Sequence, residues 1–347
     1  MRALILCAGE GTRLRPLTHK MAKPAVPVLN IPMWCYPLGL IESLGISDLH
    51  INTHHLPETV KLSFKRHARV NYSIHFHHED HLLGSARPLL HFENEINRKS
   101  QEPILVANGD AVMICKNPNL LKEMINYHYH NRALATVLAV PKEGAGKDFS
   151  GVWSDSTQNY VGIGTTSPHS DSKPFHYASI MILSPDIYSY ISDQSKNIFL
   201  DVLNEARKKR EKIRIFTTKD IQFYETGSLK DLLATHNSLL EILKSDQSHW
   251  NLIDLMDRFQ PGWRNYQKNF TYRNERLDRV RFKNENEHLV LLAPGQQPLQ
   301  SDQIQQVQVQ GPSTVYRWEK ALPESLNGCY WGDFQLALLN SGELVEF

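Results

Sequence analysis

Apolar residues follow one another without polar alternation at Leu4-Ile5-Leu6, at Ile104-Leu105-Val106-Ala107 and from Leu134 to Val140. Such runs suit strands covered on both faces, as in the middle of a parallel sheet, where every successive side chain meets a packed layer. Asp48-Leu49-His50-Ile51-Asn52, Tyr72 to Phe76 and Ile213 to Phe216 read as further strands. Between the strands, the spacing predicts helices over Ile31 to Ile46 with Gly45 as cap, Pro57 to His67, Asn119 to Asn131, Phe199 to Lys212 and Lys230 to Leu243. Alternating strand and helix signals predict α/β architecture with crossover helices. Beyond Leu243 the pattern loosens. Leu252 to Phe259 reads as a short helix, residues 261–285 carry no period, and Leu289 to Gly295 and Ile304 to Gly311 read as short strands. The expected organisation is a large domain over 1–243, a linker or helical segment over 244–285 and a small β-rich domain over 286–347.

The first strand breaks into Ala8-Gly9-Glu10-Gly11-Thr12, small and permissive residues where the chain must turn. Backbone N–H groups in such a turn can converge on an anion, and Arg13 and Lys23 would add fixed positive charge beside it. Two common phosphate loops lack residues that they require here. Leu14 stands where the third glycine of G-x-G-x-x-G belongs, which disfavours a dinucleotide-binding dehydrogenase, and no G-x-x-x-x-G-K-[ST] is present.

What remains, Gly9-x-Gly11-Thr12-Arg13-Leu14-Arg15-Pro16-Leu17-Thr18 followed by Lys23-Pro24, resembles the signature of the sugar-1-phosphate nucleotidyltransferases, also called nucleotide-sugar pyrophosphorylases. The resemblance covers the chain to about Leu243. It implies a Rossmann-like mixed-sheet nucleotidyltransferase domain that moves a nucleotidyl group from an NTP to a sugar 1-phosphate and releases pyrophosphate. On this reading Ala8, Gly9, Gly11 and Thr12 cradle phosphates, Arg13 and Lys23 neutralise them, and Gly84 and Ser85 border the base. Asp110, in Asn108-Gly109-Asp110 just past a buried strand, matches the family's magnesium-binding aspartate. The family's second carboxylate lies in a D-x-G-[ST] element, which reads Glu225-Thr226-Gly227-Ser228 here and offers Glu225 for Mg2+.

Three departures from the family pattern stand beside these matches. Arg87 enters the base-contacting loop Leu83-Gly84-Ser85-Ala86-Arg87-Pro88, where it would either pair with phosphate or block the pocket. Thr166-Ser167-Pro168 replaces a Glu-Lys-Pro triplet that serves the sugar and its phosphate, with Lys173 read as either a substitute cation or a structural or solvated residue. Glu225 replaces an aspartate. Together they support a competing reading, a catalytically weak or inactive paralogue that binds nucleotide or nucleotide sugar and regulates a partner. Some relatives end in left-handed β-helix coils, and the C-terminal strands read either as a degraded form of these or as glutamine-rich strands with no such fold. That region would serve contacts between copies of the chain.

Composition narrows the field. With 41% hydrophobic and 22% charged residues, the chain of 347 can bury a large core, and a net charge of +1 argues against nucleic acid as partner. The opening apolar run is too short for a membrane span or a secretory leader. Cys7, Cys35, Cys115 and Cys329 form no CxxC pair, so a reducing, cytoplasmic setting is expected. His75, His77, His78 and His81 crowd together with Glu79 and Asp80, and alternation puts His75 and His77 on one face of a strand. A zinc site needs three or four ligands converging in space, and this local cluster is read as serving another role. Asn52, His54 and His55 are read as either a family stretch or turn and packing residues.

Overall fold

A computed structural model describes residues 1–29, 31–90, 102–245 and 248–259, together with the backbone of seven strands between 280 and 346. The strands of the first part are β1 (Arg2–Leu6), β2 (Pro27–Val28), β3 (Ile31–Pro32), β4 (Asp48–Thr53), β5 (Ser73–His78), β6 (Ile104–Asn108), β7 (Val112–Cys115), β8 (Ala135–Val140), β9 (Gly151–Ser154), β10 (Tyr160–Gly164), β11 (Lys173–Leu183), β12 (Ile213–Thr217) and β13 (Ile221–Tyr224).

The central sheet runs β12-β8-β11-β6-β1-β4-β5, with β11 antiparallel to both its neighbours and every other pairing parallel. The α/β order is the one that the alternation of signals predicts, and the mixed sheet is the one that the family resemblance implies. The other end of the long β11 pairs with β9, which carries β10 beside it. Period-two alternation sends β1 side chains to two different cores. Ala3 and Ile5 pack into one with Leu49, Ile51, Leu105 and Ala107, while Leu4 packs into the other with Ile104, Val106, Val137 and Met181.

Two helices are shorter than their apolar runs suggest. Ile31–Pro32 pairs with Pro27–Val28 in a small antiparallel hairpin, so the helix occupies only Cys35–Glu42. Pro32 lacks an N–H and the hairpin claims its backbone, while Pro37 falls in the first helical turn, where no donor is lost. The run from Phe199 to Lys212 opens as a wider π winding at Ile198–Leu203 and continues as an α-helix only over Asn204–Lys208, stopping before Arg210 at φ +65°. Pro57–His67, Leu120–Asn131 and Leu229–Ser245 form helices close to their expected bounds.

The core does not stop at Leu243. Helix Trp250–Phe259 buries Leu252, Leu255, Met256 and Phe259 in the same core as β1 and β4. Its buried Asn251 accepts from Cys115 N at 2.7 Å and donates to Met113 O at 3.1 Å, taking the place of a strand neighbour for β7.

Farther along, β14 (Val280–Arg281), β15 (Glu287–Leu291), β16 (Ile304–Gln310) and β17 (Ser313–Trp318) form a sheet in the order β14-β15-β17-β16. β18 (Gly328–Trp331), β19 (Leu336–Leu339) and β20 (Leu344–Glu346) form another. Every pairing in both is antiparallel. This corrects the expectation of degenerate left-handed β-helix coils, because stacked coils pair their strands in parallel, whereas these strands return on themselves.

Candidate active site

Leu6 at the end of β1 lies beside Asn108 at the end of β6, so the two loops that follow emerge together at the carboxyl edge of the sheet. Ligands of open α/β sheets bind at that edge. The loops enclose a cavity of about 380 Å³ lined by the backbone or side chains of Ala8, Gly9, Gly11, Thr12, Arg13 and Lys23. Asn52, Gly84, Ser85, Asp110 and Gly227 complete its other walls. The volume falls within the range of small-molecule sites, roughly 300–1,000 Å³.

Each wall has a local cause. Gly11 sits at φ +61°, and a Cβ there would press on the side chains of Lys23 and Thr18 at 3.0 Å. Thr18 Oγ1 donates to Gly11 O at 2.9 Å and holds the turn closed. At Gly9, by contrast, a Cβ would meet nothing within 4 Å, so the open space there is available to a ligand. Gly109 lets β6 turn against β1: its N–H donates to Leu6 O at 2.9 Å, and a Cβ would lie 2.5 Å from Cys7 Sγ. Asp110 then meets Lys23, Oδ2 to Nζ at 2.7 Å. Burial, and secondarily the Asp110 carboxylate, pushes the Cys7 thiol up, so it offers no thiolate to the site.

Two supports were not legible as such in the sequence. Asn52 accepts from Cys7 N at 2.7 Å and donates to Glu79 Oε1 at 2.7 Å, and Glu79 Oε2 accepts from Leu83 N at 3.0 Å. Glu79 is therefore a buried carboxylate that ties the loop after β1 to the loop at 82–88. His54 and His55 serve the same framework, contacting Glu79 O at 2.8 Å and Thr18 O at 2.6 Å. A single carboxylate amid polar residues carries no local periodic signal, so only the tertiary arrangement reveals this role.

The 82–88 loop docks on the segment Lys196–Ile198. Ser85 N and Ala86 N both donate to Lys196 O, at 2.8 and 3.2 Å, and Ser85 Oγ accepts from Ile198 N at 3.0 Å. Gly84 makes this approach feasible, with φ +84° and room only for hydrogen where a Cβ would lie 2.2 Å from Lys196 O.

Glu225 follows β13, which pairs with β7 through Tyr224 and Val112. Thr226 Oγ1 donates to Asp110 O at 3.1 Å, and Gly227 packs against the Arg13 guanidinium, where a Cβ would meet Nη1 at 3.0 Å. The Glu225 carboxylate itself is half exposed, pairs with Lys142, and does not join the cavity walls. Lys142 lies over Phe149 and Phe223, 5.4 and 5.3 Å from the ring centroids. Beside Phe223 is His176, pushed down to about 4 by burial and then by Lys142, with Glu225 opposing.

A model of the family described as "Nucleotidyl transferase" matches residues 2–241. The chain belongs to the nucleotidyl transferase family. It is 30% identical over 199 residues to a mannose-1-phosphate guanyltransferase of Candida albicans, covering 57% of this chain and 54% of that protein. It is 27% identical over 246 residues to mannose-1-phosphate guanyltransferase 2 of Candida glabrata, covering 70% and 66%. The chain thus spans less than two thirds of the length of these curated relatives. Among solved structures, a UDP-glucose pyrophosphorylase from Acinetobacter baumanii superimposes with a TM-score of 0.61 at 16% identity, covering 74% of this chain and 98% of that one. HddC from Yersinia pseudotuberculosis complexed with GMP-PN gives 0.55 at 20% identity, covering 69% and 99%. These structures share the fold.

In this nucleotidyl transferase, the departures from the family pattern take definite places. Arg87 is not among the cavity-lining residues, and its Nε reaches back to Leu83 O at 3.4 Å. Neither Lys173, exposed at the start of β11, nor Thr166-Ser167-Pro168 lines the cavity; Ser167 turns toward Ser172, Oγ to Oγ at 2.9 Å. Among the described residues, no helix is long and apolar enough to cross a membrane.

Proposed function

We propose that this protein transfers a guanylyl group from GTP to a hexose 1-phosphate, with mannose 1-phosphate the first sugar to test, and releases pyrophosphate. The observation that carries the reading is the Lys23–Asp110 pair at 2.7 Å on the wall of a cavity floored by the open Gly9 backbone. A cation and a carboxylate held together beside bare N–H groups suit a triphosphate and its counter-ion. The names of the relatives support the choice of base and sugar.

A phosphate oxygen of the sugar would attack the α-phosphorus in line, with pyrophosphate leaving on the opposite side. The chain's part is positioning and charge neutralisation, and no covalent enzyme intermediate is needed. The Ala8–Thr12 backbone would orient the phosphates, Arg13 and Lys23 would offset their charge, and Gly84 and Ser85 would border the base. The donor set fits magnesium, a hard cation held by one or two carboxylates with phosphate and water oxygens. Asp110, 39% exposed on the cavity wall, would hold it, and Glu225 would join by leaving Lys142. When bound, such an ion neutralises phosphate charge.

Pyrophosphate release across a grid of NTPs and sugar 1-phosphates with magnesium tests the reading. GTP with mannose 1-phosphate is expected to turn over fastest. If no pair turns over while nucleotide still binds, the regulatory reading replaces this one.

A further inference from the structure

We propose that Asp48, His50 and His75 bind one divalent transition-metal ion of the zinc class, at the sheet edge and apart from the nucleotide cavity. The parallel register of β4 and β5 sets Asp48 beside Ser73, His50 beside His75 and Asn52 beside His77. Alternation therefore brings an aspartate and three histidines onto one face, two of them from β4, where the local histidine cluster of the sequence does not extend.

The donor atoms of Asp48, His50 and His75 all lie within 4.8 Å of one another. Asp48 Oδ1 is 3.4 Å from His50 Nε2 and 3.2 Å from His75 Nε2. A tetrahedral ion with bonds of about 2.0–2.2 Å separates its ligands by roughly 3.3–3.6 Å, so both spacings sit at or next to that range. Asp48 Oδ1 is buried and accepts no hydrogen bond, while Oδ2 is engaged by Arg2 Nε at 2.7 Å. Asp48 Oδ1 thus faces both imidazole nitrogens at once, and the three donor atoms surround one point.

The surroundings suit such a site. His50 Nδ1 lies 2.8 Å from His77 Nε2, and in the ion-bound form it would donate to that nitrogen, as metal-bound imidazoles donate to outer partners. Ser73 Oγ, 3.0 Å from His75 Nε2, would release that nitrogen on binding. His75 is 45% exposed and gives the ion a path from solvent. Two nitrogens and one oxygen favour zinc-class ions over magnesium. The ion would staple edge strand β5 to β4, and both strands lead to Asn52 and Glu79, the supports of the cavity.

The test is zinc titration of untagged, chelator-stripped full chain against a chromophoric competitor, with excess magnesium present. One equivalent should bind, and tetrahedral cobalt(II) absorption should appear when cobalt replaces zinc. His77→Ala should weaken binding about 10- to 100-fold. His75→Ala, an edge-strand change that leaves the core untouched, should weaken it at least as much, with Asp48→Asn behaving alike. Absence of stoichiometric binding in the parent, or His75→Ala and Asp48→Asn chains that bind as the parent does, would overturn the assignment.

Discussion

Gly84→Ala isolates the contribution of the 82–88 loop. The added Cβ would lie 2.2 Å from Lys196 O, well inside the 3.0 Å that real Cβ atoms keep, and the obstacle is backbone rather than a flexible side chain. Holding alanine at φ +84° adds about 1–2 kcal/mol of conformational strain. The chain can escape both penalties by lifting the loop. It then gives up the bonds of Ser85 N and Ala86 N to Lys196 O and of Ile198 N to Ser85 Oγ. At about 1 kcal/mol net for each, undocking limits the total cost to about 3 kcal/mol, roughly a hundredfold in the population of the closed loop. The kcat/KM for NTP should therefore fall about a hundredfold, while the loss of folding stability stays capped at about 3 kcal/mol, because the loop can open without the core. Steady-state pyrophosphate release at varied NTP, paired with a melting curve, measures both. A variant whose kcat/KM stays within twofold of the parent would refute the claim that this loop shapes the nucleotide site.

Asp110→Asn should remove most turnover with the fold intact, by about 3 kcal/mol or more of transition-state stabilisation, since the amide keeps the shape and loses the charge; parental rates would remove Asp110 from the site. Glu225→Gln should raise the magnesium concentration needed for nucleotide binding, whereas Glu225→Asp should preserve it; superimposable curves for parent and both variants would show that Glu225 serves only Lys142. His128 is buried against Thr136 Oγ1 and Ser184 Oγ, at 2.9 and 3.0 Å, and burial pushes it from 6.5 down to about 4. As pH falls below 6.5 the unfolded chain takes up a proton that the native chain refuses. Stability present above 6.5 should thus be lost down to about pH 4, by up to about 3 kcal/mol. Urea unfolding across that window should show a shallower pH slope in His128→Gln than in the parent, and equal slopes would contradict the assignment.

Much of this protein is legible in the order of its residues. Unbroken apolar runs this short suit strands buried on both faces, so β1, β6 and β8 announce themselves, and the small residues after Leu6 mark a turn that leaves backbone donors bare. The run from Ala8 to Lys23 is local in sequence, and the same stretch of chain that signals the phosphate loop also builds it. Where neighbours in space are distant in sequence, the pattern is silent. Lys23 meets Asp110, Gly84 needs the carbonyl of Lys196, and Glu79 joins two loops through Asn52. Each partnership depends on strand order, which periodicity does not encode. The same holds for Glu225, whose motif suggests a metal but whose carboxylate finds Lys142. A helix separates His75 from Asp48 and His50, and the parallel register of two strands brings them together. A one-residue slip of that register would send His75 to the opposite face, so the convergence of these three side chains belongs to the tertiary structure alone.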